Sequence, residues 1–318
     1  MQVIHHPSDV TLAPHERTIV TIGSYDGVHL GHKHIIASLQ QRAAKHQVKS
    51  AIIAFHPRPA VIFQKSTKPD YLTTIDEKQV IFSHLGMDIA IIMPFSHELA
   101  QYSAKDFLEE IITNLHPLEL FVGADFRFGK GREGDIALLT KVGEERGFSV
   151  QPIDLQRLDG ERVSSTRIRS LLVEGNVRQA TTLLGDYPHL TGPVIKGAQR
   201  GRTLGFPTAN IAIHPEKLLP RSGVYAVWIT VGDQTYAAVA NVGVRPTFEE
   251  TITTIEVHIF DFDHDIYEQV ARVDWVEYIR PERRFDGIES LIAQIQADSQ
   301  QAKTILLEER ARPPFAGA

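Results

Sequence analysis

The sequence contains no cysteine, which excludes disulfides, thiolate metal sites and cysteine nucleophiles. No run approaches about 18 consecutive apolar residues, so no transmembrane helix is expected. An excess of positive charge is missing too: 33 Lys and Arg stand against 39 Asp and Glu, a net charge of −6 with His neutral. That balance argues against a chain built to coat nucleic acid or an anionic membrane. Residues 1–10 lack the basic start and apolar run of a secretory signal, so the expected location is the cytoplasm. No internal repeat or low-complexity tract is visible.

What is present is an ordinary globular composition, 42% hydrophobic and 23% charged over 318 residues. This length suggests about two domains of roughly 150 residues, each long enough for its own core. In the first half, short apolar runs at 17–23, 49–55, 88–95 and 118–125 alternate with helical stretches such as 32–47 and 103–115. Unalternating strands separated by helices are the pattern of a parallel sheet covered on both faces. The character changes near residue 187, where a stretch rich in Gly, Pro and Thr begins. Residues 223–232 and 234–243 read as strands joined around Gly232-Asp233, a hairpin signal. Residues 253–262 and 268–279 continue as strands. A last helix over 287–310 carries Ile288, Leu291, Ile292, Ile295 and Ile305 or Leu306 on a helical period, with Asp286 as its expected N-cap. The tail from 311 is expected to be loose. The expected architecture is a Rossmann-like α/β domain over 1–186, followed over 187–318 by a small antiparallel β-barrel domain with a C-terminal helix.

Between the first strand and its helix lies Gly23-Ser24-Tyr25-Asp26-Gly27-Val28-His29-Leu30-Gly31-His32. Glycines at 23, 27 and 31 let the backbone approach a ligand closely. A helix beginning at His32 would aim its free N–H groups and positive dipole end at a phosphate. His29 and His32 would add imidazole donors beside that anion. A glycine-rich turn alone says little, and surface histidines on a tight turn are the alternative. Two histidines flanking a glycine at this junction are the more specific signal.

This segment resembles the HxGH signature of the nucleotidylyltransferase superfamily. The longer string is similar to the GxFDGxHxGH of bacterial riboflavin kinase/FMN adenylyltransferase proteins, with Tyr25 in place of Phe. Residues 94–107, 123–135 and 163–169 match further family segments in order, the last being close to I-S-S-T-x-I-R. The family's F-x-P-H-P reads here Phe55-His56-Pro57-Arg58-Pro59. No role is therefore carried onto Arg58, and compensation by His56 is left open. The resemblance implies transfer of AMP from ATP to the phosphate of FMN, releasing pyrophosphate, with no protein nucleophile. The protein then holds two anions in line and stabilises charge on the bridging oxygens. It implies His29, His32 and Arg169 as catalytic residues, and Gly23, Asp26, Gly31, Ser164 and Thr166 as ATP-binding residues. Ser165 and Arg167 alternate with these, a spacing compatible with facing solvent. Asp125, Phe126 and Phe128 resemble the flavin-side loop, with Asp125 and Phe128 the expected flavin contacts. Core packing is the alternative for either ring.

In the second half, residues 197–210 hold Gly197 and Gly201 four apart, a loop able to wrap phosphates with its amides. The attached Gly205-Phe206-Pro207-Thr208-Ala209-Asn210 resembles the hallmark of riboflavin kinases. That likeness implies ATP at Gly197 and Gly201, and Mg²⁺ held with the nucleotide by Thr208 and Asn210. Few oxygen ligands suit Mg²⁺ in nucleotide sites. Phosphoryl transfer to an alcohol also calls for a base near the attacking hydroxyl. Alternation in 254–259 puts Glu256 and His258 on one strand face and Ile255, Val257 and Ile259 on the other. An exposed edge-strand Glu is the plain reading, and the family's catalytic glutamate matches Glu256. His258 is expected to be a neighbour. Residues 278–285 resemble the family's L-R-P-x-x-x-F segment beside the flavin.

The implied activity is bifunctional: ATP-dependent phosphorylation of riboflavin to FMN, then adenylylation of FMN to FAD. The expected partners are riboflavin, FMN and ATP, with no nucleic acid and no membrane. Two readings stand beside it. In one, only the kinase works, given Arg58. In the other, the chain is a flavin-sensing or RNA-binding regulator, against which weighs the lack of a basic stripe interleaved with aromatics.

Overall fold

Strands β1 (Gln2–Ile4), β2 (Thr18–Gly23), β3 (Lys49–Phe55), β4 (Ile89–Met93), β5 (Pro117–Gly123) and β6 (Ser149–Ile153) pair side by side, all parallel, in the order β1-β4-β3-β2-β5-β6. Between them run helices α1 (Leu30–His46), α2 (Pro59–Phe63), α3 (Ile75–His84), α4 (Ala104–Leu115) and α5 (Ile136–Arg146). The computed structural model describes residues 1–63, 70–154, 157–158, 161–197, 201, 204–246 and 251–311. The outer part of the tail, 312–318, and residues 198–200, 202 and 203 of the second glycine-rich segment lie outside them.

The sheet is apolar on both faces because both are covered. Val20, Ile22, Ile53, Ile91 and Leu120 pack with Phe107 and Ile111 of α4 and Leu139 of α5. The alternate residues Ile19, Ile52, Ala90 and Phe121 pack with Ile36 and Leu39 of α1 and Phe82 of α3. This double burial is why the strands read as continuous apolar runs. Strand order reverses between β2 and β5, and their carboxyl ends are Gly23 and Gly123. Ligands of open α/β sheets bind outside such a reversal. Both expected ligand segments of this half, the turn after Gly23 and the loop through Asp125, leave from it. A short hairpin pairs β7 (Arg157–Leu158) with β8 (Glu161–Arg162).

Contacts gather Met1–Ser164 into this unit and Ser165–Ala318 into a second. Helices α6 (Ser165–Glu174) and α7 (Val177–Leu184) therefore group with the second half of the chain. The Arg221 amide donates to the Leu172 carbonyl at 2.9 Å, and Arg178 is ion-paired with Glu277. Strands β9 (His189–Ile195), β10 (Ala209–Ile211), β11 (Gly223–Val231), β12 (Gln234–Pro246), β13 (Thr251–Ile259) and β14 (Val270–Arg280) close into an antiparallel barrel, in the order β10-β13-β12-β11-β14-β9. Gly232 and Asp233 make the two-residue hairpin turn, with Gly232 at φ 58°. Helix α8 (Ile288–Ala311) lies on the outer face of the barrel, burying Ala302 and Leu306 against Val224, Ala226, Trp228 and Val239.

Three local expectations change. Helix α1 begins at Leu30 rather than His32, because the His29 ring takes up the His32 amide as a cap. Helix α8 has Gly287 at its cap, whose carbonyl accepts the Leu291 amide at 3.2 Å, rather than Asp286. Ile288, on the expected apolar stripe, is 64% exposed because it precedes the stretch of helix that covers the barrel.

Candidate functional site

Each unit carries one cluster of the expected residues. In the first, the turn after β2 is held in an unusual backbone path: Tyr25, Gly27 and Val28 have φ of 48°, 84° and 39°. Gly27 meets that requirement without strain, whereas Tyr25 and Val28 are fixed by complete burial. The Tyr25 hydroxyl, absent from the family's usual Phe, is satisfied by the Thr21 hydroxyl, which donates to the Phe121 carbonyl at 2.8 Å. The added polar atom therefore has a partner in the core.

His29 caps α1, its Nδ1 accepting the His32 amide at 3.4 Å, and the two rings stack with centroids 3.7 Å apart. Capping by Nδ1 leaves Nε2–H as the donor of a neutral His29. Burial drives the His29 pKa down to about 4, with help from the Arg162 charge, against backbone hydrogen bonding and Asp26. His32 is held well below its ordinary value by burial and by the charges of His29 and Lys78. Its Nδ1 is shielded from solvent and has no hydrogen-bond partner among the described residues. At neutral pH both rings are therefore uncharged donors at a helix start, a setting suited to a phosphate. Gly31 lies inside the first turn of α1.

Asp26 is 1% exposed, and its Oδ1 accepts the amides of Leu72 and Thr73 at 2.9 and 3.1 Å. Thr73 Oγ1 in turn accepts the Gly27 amide at 3.0 Å. The structure thus places Asp26 as the tie between the turn and the segment leading into α3. Lys78, on α3, is buried beneath the same turn and donates to the Ser24 carbonyl at 3.0 Å. Arg58, after β3, pairs with Asp70 and lies over the Tyr71 ring at 5.3 Å, while its amide donates to the Tyr71 hydroxyl at 3.0 Å.

At the end of β5, Asp125 is exposed and pairs with Arg162 at 2.7 Å. Phe128 is in the core, 8% exposed against Phe107, and Phe126 stacks on it at 5.5 Å with the greater exposure. Ser164 ends the first unit, while Thr166 and Arg169 sit on α6 in the second, Thr166 exposed and Arg169 half-buried.

In the barrel, strand register assembles the second cluster. Asn210 of β10 faces Glu256 of β13, and Glu256 faces Asn241 of β12. Directly paired residues share a face, so three polar side chains line up across three strands. Ile255, Val257 and Ile259 are buried on the other face, while Glu256 and His258 are half-exposed. Gly197 presses on Asn210: a Cβ there would stand 2.3 Å from Asn210 Nδ2. A Cβ on Gly201 would stand 2.3 Å from the Phe206 carbonyl and 3.4 Å from Thr208 Oγ1. His258 Nδ1 donates to the Pro207 carbonyl at 2.8 Å, tying β13 to the Thr208 segment.

A cavity of about 350 Å³ lies over Glu256 and Asn241, walled by Leu204, Phe206, Val239, Phe285, Leu291 and Ile295, with Thr208, Glu282 and Arg283 among its other polar groups. A second, of about 420 Å³, lies on the other side of Thr208 and reaches Asp263, Asp265 and Tyr267. Both contain Thr208. Sequence reasoning missed Asn241, Asp298 and Lys78, and gave Glu282 no role of its own within the segment 278–285. Glu282 receives the Asn241 amide group at 3.4 Å and the Val244 backbone amide at 3.3 Å. Asp298 is a buried acid on the apolar side of α8 and takes a forked pair of bonds from Arg280 at 2.9 and 2.7 Å. Asp298 and Lys78 were findable as charges on otherwise apolar helix faces.

Among the described residues no helix is long and apolar enough to cross a membrane. The FAD synthetase family model matches residues 12–167, and the riboflavin kinase family model matches residues 184–306. The bifunctional riboflavin kinase/FMN adenylyltransferase of Listeria monocytogenes is 36% identical over 303 residues, covering 94% of this chain and 96% of that protein. The protein of the same description from Escherichia coli strain K12 is 36% identical over 305 residues, covering 95% and 97%. A solved structure described as a macrolide-efflux protein from Streptococcus pneumoniae has a TM-score of 0.87 at 28% identity, covering 95% of this chain and 98% of that one. Two family models in sequence, and relatives alike from end to end, show that the chain belongs to the bifunctional riboflavin kinase/FMN adenylyltransferase family.

Proposed function

We propose an assignment of residues to the two activities of this family. The chain is an ATP-using enzyme that phosphorylates riboflavin to FMN and adenylylates FMN to FAD. We place adenylylation in residues 1–186 and phosphorylation in residues 187–318, with Ser164, Thr166 and Arg169 counted with the first activity. The observation that carries the reading is the pairing of two phosphate-suited clusters, one per unit.

For adenylylation, the FMN phosphate attacks the α-phosphorus of ATP and pyrophosphate leaves. No side chain need become covalent. His29 and His32 offer neutral N–H donors to the phosphate oxygens on which charge builds. Gly23 and Gly31 allow close approach of the turn, and Asp26 holds it in place. Ser164, Thr166 and Arg169 are counted with this reaction on the resemblance alone, as hydroxyl and guanidinium donors. Asp125 and the Phe126–Phe128 stack form the flavin side, with Phe128 the buried base of the stack.

For phosphorylation, the cavity above Glu256 takes riboflavin, its half-exposed Leu291, Ile295 and Phe285 covering an apolar ring system. ATP lies toward Gly197, Gly201 and the cavity beyond Thr208. Glu256 accepts the proton of the flavin ribityl hydroxyl as its oxygen attacks the γ-phosphorus and ADP departs. Thr208 and Asn210 would hold Mg²⁺. A hydroxyl, an amide oxygen and the nearby Glu256 carboxylate are the hard oxygen donors this ion selects. When bound, it neutralises phosphate charge. Since both reactions consume ATP, the cytoplasm is the compartment proposed.

The test is a time course. Purified protein with riboflavin, ATP and Mg²⁺ should yield FMN and then FAD by chromatography. Absence of both products rejects the reading. Pyrophosphate release from FMN and ATP alone separates it from a chain whose first unit is inactive.

A further inference from the structure

Lys78 is 1% exposed, yet neither reaction as assigned uses it. It sits in the first turn of α3, which starts at a capping box formed by Thr74 and Glu77. Four residues before Phe82, it shares the face of α3 that packs on Tyr25, where the two rings meet edge-on at 5.9 Å. Its ammonium reaches the Ser24 carbonyl at 3.0 Å. A buried ammonium costs several kcal/mol unless its surroundings compensate, and an apolar side chain would fill the same space more cheaply. What the charge adds is a fixed positive centre directly beneath the segment from Ser24 to His32.

We propose that Lys78 is a positioning residue for adenylyl transfer. Its ammonium anchors the Ser24 carbonyl, so that the turn holds its backbone path against the triphosphate, and supplies a buried positive field to that polyanion. The inference rests on the placement of adenylylation at this turn. Three charged or titratable groups on neighbouring elements act on or with Lys78. Asp26 of the turn attracts it, Arg58 after β3 repels it, and its own charge helps to keep His32 of α1 neutral. On its own helix, the Glu77 carboxylate is engaged by the Thr74 amide at 3.0 Å. Burial outweighs the attraction of Asp26 and brings the Lys78 pKa down to about 8. The free enzyme thus loses this charge as pH rises through that value, and kcat/KM reports free-enzyme ionisation.

The experiment compares K78M, K78R and wild type in FMN-to-FAD conversion across pH, with riboflavin phosphorylation by the same molecules as an internal control. For K78M we expect kcat/KM for ATP to fall roughly 30-fold, mostly through KM, as for a lost charge-assisted contact. Phosphorylation should stay within about twofold, since mutations at distant sites act independently. Wild type should lose kcat/KM above about pH 8, and K78R should recover most activity and move that limb upward. K78M within about twofold of wild type overturns the proposal. So does a high-pH limb left unmoved in K78R, a comparison that still decides if K78M fails to fold. H32N separates the two claims. If H32N loses FAD formation and K78M keeps it, the turn is the site and Lys78 is dispensable. If neither variant loses it, the placement of the reaction at the turn is what fails.

Discussion

The two units bury their candidate ligand groups in opposite ways. In the parallel-sheet unit the key groups are inside: His29, Asp26 and Lys78 are all buried, and burial is the main cause of the shifted ionisation of the imidazole and the ammonium. In the barrel, Asn210, Asn241 and Glu256 are half-exposed on an outer face, aligned by strand register. The contrast teaches what each reaction asks of the protein. On the proposed assignment, adenylylation uses a nucleophile that the substrate already carries, and the buried unit would contribute fixed donors and field. Phosphorylation starts from a neutral hydroxyl, for which the barrel would contribute a base with access to it.

If that division is right, the largest effect should come from removing the base. E256Q should lower FMN formation from riboflavin roughly 10³-fold and leave FMN-to-FAD conversion intact. Surviving kinase activity would remove Glu256 from the role. The mirror-image change, H32N, should lower FAD formation roughly 10²-fold, the usual effect of losing one oxyanion donor, so that FMN accumulates from riboflavin. FAD production at the wild-type rate would break the comparison on its other side.

A smaller expected effect probes register. A methyl group on Gly197 would stand 2.3 Å from Asn210 Nδ2 and push that side chain aside. Misplacement of this size costs up to about 10²-fold, so G197A should slow phosphorylation by roughly tenfold to that limit and spare adenylylation. An unchanged kinase rate would show that the placement of Asn210 does not matter.

The smallest effect concerns pH and stability. Folded His29 stays neutral down to about 4, whereas the unfolded chain takes up its proton near 6.5. The unfolded state binds more protons across that window, so stability is lost as pH falls from about 6.5 toward 4, by on the order of 3 kcal/mol at most for this group. Thermal melts of wild type against H29Q should show a steeper acid decline in wild type. Parallel curves would mean that His29 titrates normally.

Much of this was legible in the residues. Apolar runs gave away the doubly covered sheet, Gly232-Asp233 the hairpin, and the alternation at 254–259 the face on which Glu256 lies. What was not legible depends on contacts distant in sequence. Asn241 joins Glu256 only through the β12–β13 register, and Glu282 reaches that row from beyond β14. β1 is a three-residue edge strand, too short to show a period. The start of α1 is hidden because a histidine cap replaces the usual Ser, Thr, Asp or Asn. Lys78 stands out in the sequence only as a charge on the apolar face of α3, and its partner shows only once Ser24 is seen above it. The nucleotide-binding roles of Thr166 and Arg169 rest on resemblance, since packing groups their helix with the barrel.

The most direct test of the central claim, one triphosphate site in each unit, is a calorimetric titration of the whole chain with ATP and saturating Mg²⁺. The account predicts two saturable sites, with G197A weakening one and H32N the other. A single site, or the loss of both sites through either substitution, would contradict it.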